Sequence, residues 1–277
     1  MSLFITSLNS GSNGNCYYIG NNKEAILVDA GISCREIEKR MKRLDLDMKK
    51  VKAIFVSHEH SDHIRGIPTL AKKYALPVYI TQSTMIKGGL VFNEDQAKTL
   101  EAHTPVAVGE LSVTAFPKFH DAADPHSFII ESASITVGVF TDIGAPCEHV
   151  VRYFKLCHAA FLEANYDDVM LETGRYPYHL KRRIKGDKGH LSNKQALELF
   201  TTHRSPHLSL LLLSHLSKDN NCPNLVYQLF TEKADGAEIV VASRYEETPI
   251  FYIADQASKP KILNELPNSK SMQYSLF

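Results

Sequence analysis

The segment His58-Glu59-His60-Ser61-Asp62-His63 sets four potential metal ligands, His58, His60, Asp62 and His63, within six residues. Imidazole and carboxylate donors suit zinc, manganese and iron. The segment directly follows the apolar run Val51-Lys52-Ala53-Ile54-Phe55-Val56-Ser57. That position is the end of a buried strand, where loops build sites. Two clustered cations can generate hydroxide at neutral pH and clamp a scissile phosphate.

Four further polar residues end apolar runs. Asp29 closes Ala25 to Val28, His120 closes Val113 to Phe119, Asp142 closes Ile135 to Thr141, and His215 closes Leu208 to Ser214. Taken singly, each reads as a helix cap, a turn residue or a satisfied buried histidine. Together with the cluster they supply what an open dinuclear site needs: several imidazoles and a carboxylate able to bridge.

The elements that must position these residues follow from apolar periodicity and turn chemistry. Strands are expected at 3–8, 16–19 and 25–28. Ser33, with Glu36 three residues on, predicts a capping box opening a helix through Ile37, Met41 and Leu44. A helix from Asp62 onward carries Ile64, Ile67, Leu70 and Ala71, with Pro68 in its first turns. A strand at 77–81 and a mostly β region over 98–142 come next. Strands at 160–163 and 208–214 read as buried, with helices expected over 146–157, 167–184, 192–203 and 222–233. Strands at 239–242 and 250–253 close the pattern. Two β-meanders, each followed by helices, predict an α/β protein; two sheets flanked by helices in four layers fit the pattern, and periodicity alone leaves other α/β arrangements open. We assign 1–258 to one domain and 259–277 to a tail.

Composition bounds the rest. The 277 residues are 44% hydrophobic, enough for a large core. Lys plus Arg equals Asp plus Glu at 31 each, so a nucleic-acid surface must be a local patch. Five scattered cysteines, odd in number and without a CxxC pair, argue against a disulfide framework. The amino terminus lacks a signal-peptide pattern, and the most apolar stretch, Leu208 to Leu213, is too short to span a bilayer. A cytoplasmic protein with no membrane partner is expected.

The strand-end Asp, HxHxDH, later His, Asp and final His resemble the pattern of metallo-β-lactamase-fold hydrolases. The resemblance spans roughly residues 1 to 255 and implies the αββα sandwich. It implies that His58, His60 and His120 hold one metal, that Asp62, His63 and His215 hold the other, and that Asp142 bridges. Asp29 would orient the histidine motif. Two divalent ions are implied, zinc or manganese ahead of iron.

Phe161 to Asn165, Gly189 to Asn193 and Leu213 to Ser217 resemble segments of the RNase Z and phosphodiesterase branch. There a Glu–His pair donates a proton. Carried over, Glu163 orients His190, His190 protonates the leaving alkoxide, and both join Asp62 as catalytic residues. Ser7 to Cys16, His120 to Pro125 and Leu216 to Pro223 resemble the YycJ/WalJ-type subfamily, which implies a 5′-to-3′ DNA exonuclease.

Basic residues and tyrosines mix just before His190. Lys181, Arg182, Arg183 and Lys185 could neutralise backbone phosphates, and neighbouring tyrosines could stack on bases. A solvated basic helix face is the competing reading. In the tail, Gln273-Tyr274-Ser275-Leu276-Phe277 resembles the peptide by which bacterial proteins dock on the sliding clamp. Gln273, Leu276 and Phe277 would make that contact, and a place in DNA repair would follow from it. Two alternatives stay open: a hydrolase of small phosphodiesters or esters on the same metals, and a non-catalytic clamp-binding adaptor.

Overall fold

The computed structural model describes residues 2–93, 95–254 and 261–262. Among them, one eight-stranded sheet runs β15-β14-β1-β2-β3-β4-β5-β6. Its strands are β1 (Leu3–Asn9), β2 (Cys16–Gly20), β3 (Ala25–Val28), β4 (Val51–Phe55), β5 (Val78–Ile80), β6 (Ala97–Thr99), β14 (Phe251–Ile253) and β15 (Lys261–Ile262). A seven-stranded sheet runs β13-β12-β11-β10-β9-β8-β7. It comprises β7 (Pro105–Val108), β8 (Leu111–Pro117), β9 (His126–Ser132), β10 (Ile135–Phe140), β11 (Ala159–Glu163), β12 (Leu210–Ser214) and β13 (Glu238–Val241). Each sheet is half antiparallel meander and half parallel: β3 to β6 run parallel in the first, β10 to β13 in the second.

The helices are α1 (Cys34–Arg43), α2 (Ser61–Ile64), α3 (Ile67–Tyr74), α4 (Gln82–Lys87), α5 (Glu148–Phe154), α6 (Asp168–Thr173), α7 (Tyr178–Lys185), α8 (Asn193–His203) and α9 (Pro223–Thr231). Three apolar layers make the four-layer sandwich. Ile26, Val28, Ala53, Phe55, Val137 and Phe161 meet between the sheets. Leu27 and Ile54, on the opposite face of the same strands, pack under Ile37, Met41, Ile67 and Leu70 of α1 and α3. On the far side, Leu162 and Leu211 pack under Val150, Leu199 and Phe230 of α5, α8 and α9. Strands covered on both faces read as unbroken apolar runs, which is why each ends abruptly at a polar residue.

Four local expectations need correction. Ser33 caps α1 by accepting from Glu36 N at 3.3 Å, but the Glu36 carboxylate turns to Arg40 Nε at 3.1 Å instead of closing the box. The helix expected from Asp62 breaks into α2 and α3, because Gly66 N donates across to Ala30 O at 2.8 Å. Pro68, which has no N–H to give, then sits in the first turn of α3. Gly174 and Pro177 likewise split 167–184 into α6 and α7. Lys261 and Ile262, assigned above to the tail, pair with Tyr252 and Phe251 as the outer strand. The clamp-like peptide Gln273 to Phe277 lies outside the described residues.

One glycine fixes how the first sheet meets the HxHxDH turn. Gly31 N donates to Asn15 O at 2.8 Å, and Asn15 N donates to Asp62 O at 2.7 Å. A Cβ on Gly31 would fall 1.6 Å from Asp62 O. Backbone cannot yield as a side-chain tip can, so Gly31→Ala should cost at least the ~1–3 kcal/mol typical of overpacking and loosen metal retention. Chemical denaturation with metal analysis checks this; wild-type stability in the variant would contradict it.

Candidate metal and catalytic site

The site lies where strands of both sheets run out. Asp29 follows β3, His58 lies beyond β4, His120 beyond β8, Asp142 beyond β10 and His215 directly after β12, while Glu163 is the last residue of β11. Open α/β sheets bind ligands beyond the carboxyl ends of their parallel strands. Asp29, Asp142 and His215 share a left-handed backbone, with φ of 59°, 57° and 56°. Such a turn is costly for a residue with a Cβ and persists where surroundings enforce it. Here it swings three side chains over the sheet ends.

Donor atoms converge in two groups. One nitrogen from each of His58, His60 and His120 lies within 4.8 Å of the other two, and the same holds for the donors of Asp62, His63 and His215. His58 Nε2 is 3.1 Å and His120 Nε2 is 3.4 Å from His60 Nδ1. Asp142 stands between the groups. Its Oδ2 is 3.2 Å from His63 Nε2, and its Oδ1 is 3.3 Å from His215 Nδ1 and 3.9 Å from His120 Nε2.

The remaining ring nitrogens are committed elsewhere, which fixes the tautomers. His63 Nδ1 donates to Asp29 Oδ2 at 2.7 Å. Asp29 also accepts from Ser57 N at 2.8 Å and Ser57 Oγ at 2.7 Å. With its proton given to Asp29, Ser57 Oγ accepts from His58 Nδ1 at 2.9 Å. His120 Nδ1 donates to Gly189 O at 3.0 Å. Each of these bonds leaves an Nε2 lone pair facing the cluster, the arrangement by which outer partners orient metal-binding imidazoles.

The electrostatics suit a cation. Burial drives His58 well below the ordinary imidazole range and His120 down to about 3, so both are neutral donors. Burial opposes ionisation of Asp142, but His215 and His63 outweigh it and hold the carboxyl well below its usual range. Burial likewise opposes charge on His63 and His215. Asp142 and the neighbouring carboxylates overcome it, lifting His63 well above its ordinary value and His215 to about 10. Positive charge is thus favoured at the centre of the cluster. Asp142 Oδ2 and His215 Nε2 are buried without a hydrogen bond among the described residues. Buried polar atoms are rarely left so, and a divalent cation would engage both. The residues fit the metal centre that the fold implies.

Beside this cluster sits a second constellation. His190 Nδ1 is 2.7 Å from Glu163 Oε1. The same oxygen is 3.1 Å from His215 Nδ1, and Glu163 Oε2 accepts from Ile143 N at 2.7 Å. Burial raises the Glu163 carboxyl, but His190 foremost brings it down to about 2, so it stays ionised. His190 is reached by solvent, its side chain 18% exposed. Its Nδ1 held by Glu163, the ring has Nε2 left for a substrate atom.

All seven candidate ligands, Asp29, Glu163 and His190 are therefore brought together. Of the basic residues, only Arg183 is linked to the cluster. Arg183 pairs with Asp121, next to His120. Lys181 Nζ donates to Glu172 O at 2.5 Å, and Lys185 pairs with Glu172 at 2.6 Å. Arg182 is exposed.

Three supporting residues escaped the sequence reading. Asn15 Nδ2 lies 3.1 Å from His63 Nε2 and 3.3 Å from Asp62 Oδ2. Ser10 Oγ accepts from His215 N at 2.8 Å. Lys118, fully buried, donates from Nζ to Thr141 O at 2.6 Å and braces the Asp142 turn. The turn-rich Ser10 to Asn15 segment was a visible signal. The lysine, placed in a strand-end run by its neighbours, gave none.

Comparison with known proteins agrees with this geometry. The family described as Beta-lactamase superfamily domain matches residues 24–215. Exodeoxyribonuclease YycJ of Bacillus anthracis is 36% identical over 243 residues, covering 85% of this chain and 92% of that protein. Exodeoxyribonuclease WalJ of Streptococcus pneumoniae serotype 2 (strain D39 / NCTC 7466) is 30% identical over 239 residues, covering 84% and 89%. Among solved structures, the metallo-β-lactamase fold protein YhfI from Bacillus subtilis superposes with a TM-score of 0.68 at 17% identity, covering 90% of this chain and 99% of that one. A sandwich of this topology, ligand-type residues at the strand ends and relatives matched over most of their length lead to one assignment: the chain belongs to the metallo-β-lactamase-fold hydrolases of the β-lactamase superfamily, in the YycJ/WalJ-type subfamily.

Proposed function

We propose that this protein is a metal-dependent phosphodiesterase that degrades DNA from an end, in the 5′-to-3′ direction. The observation that carries the reading is the Glu163–His190 pair, 2.7 Å long, set against the two donor groups. An alkoxide departs from phosphorus poorly unless it is protonated, and a positioned imidazole can supply that proton. Two relatives named exodeoxyribonucleases support DNA as the substrate class.

His58, His60 and His120 would hold one divalent cation, Asp62, His63 and His215 a second, with Asp142 shared. When bound, such ions acidify water to a nucleophile at neutral pH and offset phosphate charge; zinc and manganese both accept this donor set. Asp29 and Ser57 keep the histidines in the ligating tautomer. Glu163 holds the His190 ring in place by Nδ1. His190 gives its Nε2 proton to the leaving oxygen.

Lys181 and Arg182 extend the site with positive charge toward the strand. Because Arg183 is tied to Asp121, only these two are clean probes. Lys181→Glu with Arg182→Glu should lower DNA cleavage about tenfold or more at low salt, with turnover of a small chromogenic phosphodiester unchanged. Parallel loss on both substrates would contradict a DNA-binding role. Docking on a sliding clamp through Gln273, Leu276 and Phe277 belongs to the same proposal, and truncation at Ser271 tests it by loss of clamp binding.

The decisive assay is digestion of DNA labelled at either end. Loss of 5′ label first, as mononucleotides, is expected. Intact DNA alongside rapid hydrolysis of a small diester would refute the nuclease reading in favour of a small-molecule hydrolase.

A further inference from the structure

The loop after β1 touches more than the metal ligands. Ser10 N donates to Ser243 O at 3.1 Å, and Asn13 Nδ2 donates to Arg244 O at 2.8 Å. Buried Arg40 clamps both loops from behind: Nη1 donates to Leu8 O at 2.7 Å and Nη2 to Tyr245 O at 2.9 Å. The segment following β13 is therefore held rigidly against the loop that supports His63 and His215.

Between these loops and the segment after β12 lies a cavity of about 420 Å³, lined by Ser10, Leu216, Lys218, Ser243, Arg244 and Tyr245 among others. Pockets for small molecules run from roughly 300 to 1,000 Å³. It adjoins the metal site directly, since Ser10 Oγ accepts from His215 N and Leu216 is the next residue.

Its chemistry is selective. Arg244 Nη1 is shut off from solvent and has no hydrogen-bond partner among the described residues, and Nη2 makes one long bond, 3.3 Å, to Ser12 Oγ. The side chain is half-buried, but at Nη1 it holds hydrogens that neither water nor the protein meets, a cost that a ligand would relieve, and its planar fork matches phosphate oxygens. Lys218, exposed at the wall, adds a second cation. The carboxylate of Glu246 also lines the cavity and disfavours a dense anion, which suits a single phosphate better than a polyphosphate. Tyr245 is 71% exposed at the rim, an aromatic surface of this size being open to stacking on a base.

We infer that this cavity seats the nucleotide unit flanking the scissile phosphate, with Arg244 and Lys218 on its phosphate and Tyr245 against its base. The inference rests on the phosphodiesterase reading of the neighbouring site. It makes the loops after β1 and β13 the part of the protein that distinguishes a nucleotide chain from a simple diester.

The test is titration of thymidine 5′-monophosphate into the manganese-loaded full chain and into Arg244→Ala, Arg244→Lys and Tyr245→Ala, with folding checked by circular dichroism. Arg244→Ala should weaken binding at least about tenfold, the lysine variant should recover part of it, and Tyr245→Ala should cost a few-fold. The KM for a short DNA should rise in step, and kcat/KM for bis(p-nitrophenyl) phosphate should stay near wild type. Equal affinity of Arg244→Ala and wild type, or no binding of the nucleotide to wild type, overturns the proposal. Arg244-dependent nucleotide binding in a protein that leaves DNA intact would uphold the cavity and sink the nuclease reading alone.

Discussion

Asp142→Asn is expected to strip the site of metal and lower hydrolysis of every phosphodiester substrate by ~10³-fold or more, the equivalent of several kcal/mol of lost charge stabilisation. Asp142 is the carboxylate that both donor groups face, 3.2 Å from His63 Nε2 of one group through Oδ2 and 3.9 Å from His120 Nε2 of the other through Oδ1. Asparagine keeps the volume and the buried turn but cannot supply negative charge to both sides. The loss should therefore appear in metal content as well as in rate, and on small substrates as much as on DNA. A folded Asp142→Asn protein that retains its metal and its turnover would contradict the bridging role.

His190→Ala should give a loss of a different character. Removing a positioned general acid costs ~10²–10⁴-fold where the leaving group is a poor one, such as a nucleotide hydroxyl. A nitrophenolate leaves without help, so bis(p-nitrophenyl) phosphate should be cleaved by the variant at a rate much nearer wild type, with metal content unchanged. Equal losses on the two substrates would place His190 among the ligands instead. That outcome is meaningful because Asp142, Glu163, His190 and His215 also bring donor atoms within 4.8 Å of one another. Glu163 is a less clean probe than His190: its carboxylate also accepts from Ile143 N and Leu191 N, and so helps anchor the Asp142 and His190 segments.

Much of this site was legible before any coordinates. HxHxDH announces itself by density, and Asp29, His120, Asp142 and His215 announce themselves because each interrupts a run that is apolar on both faces. Taken singly each could be a cap or a turn residue; four such endings beside HxHxDH are what make a site of them. The same runs fitted a four-layer architecture without singling it out, and the family resemblance supplied the αββα sandwich. Short elements were harder. α4 occupies only Gln82–Lys87, too few residues to display a period, and α2 separates from α3 for a tertiary reason, the Gly66 to Ala30 hydrogen bond.

Residues that act through register were not legible either. Asn15 reaches Asp62 across 47 positions, Lys118 reaches the Thr141 carbonyl across 23, and Ser10 meets His215 N across 205. No local pattern encodes such pairs; they exist only once two sheets are stacked. The left-handed backbone at Asp29, Asp142 and His215 is of the same kind, a conformation imposed by the neighbours and not requested by the residue. The basic run illustrates the converse. Lys181, Arg183 and Lys185 looked alike in sequence, yet Lys181 and Lys185 both turn to Glu172, one to its carbonyl and one to its carboxylate, while Arg183 is drawn to the carboxylate beside His120.

The central claim is that His58, His60, Asp62, His63, His120, Asp142 and His215 form one metal-binding centre. Anomalous diffraction from crystals grown in manganese tests it most directly. Two strong peaks are expected, one within reach of His58, His60 and His120, the other within reach of Asp62, His63 and His215, with Asp142 between them. An empty cluster at saturating manganese, or metal bound only elsewhere on the protein, would contradict the account.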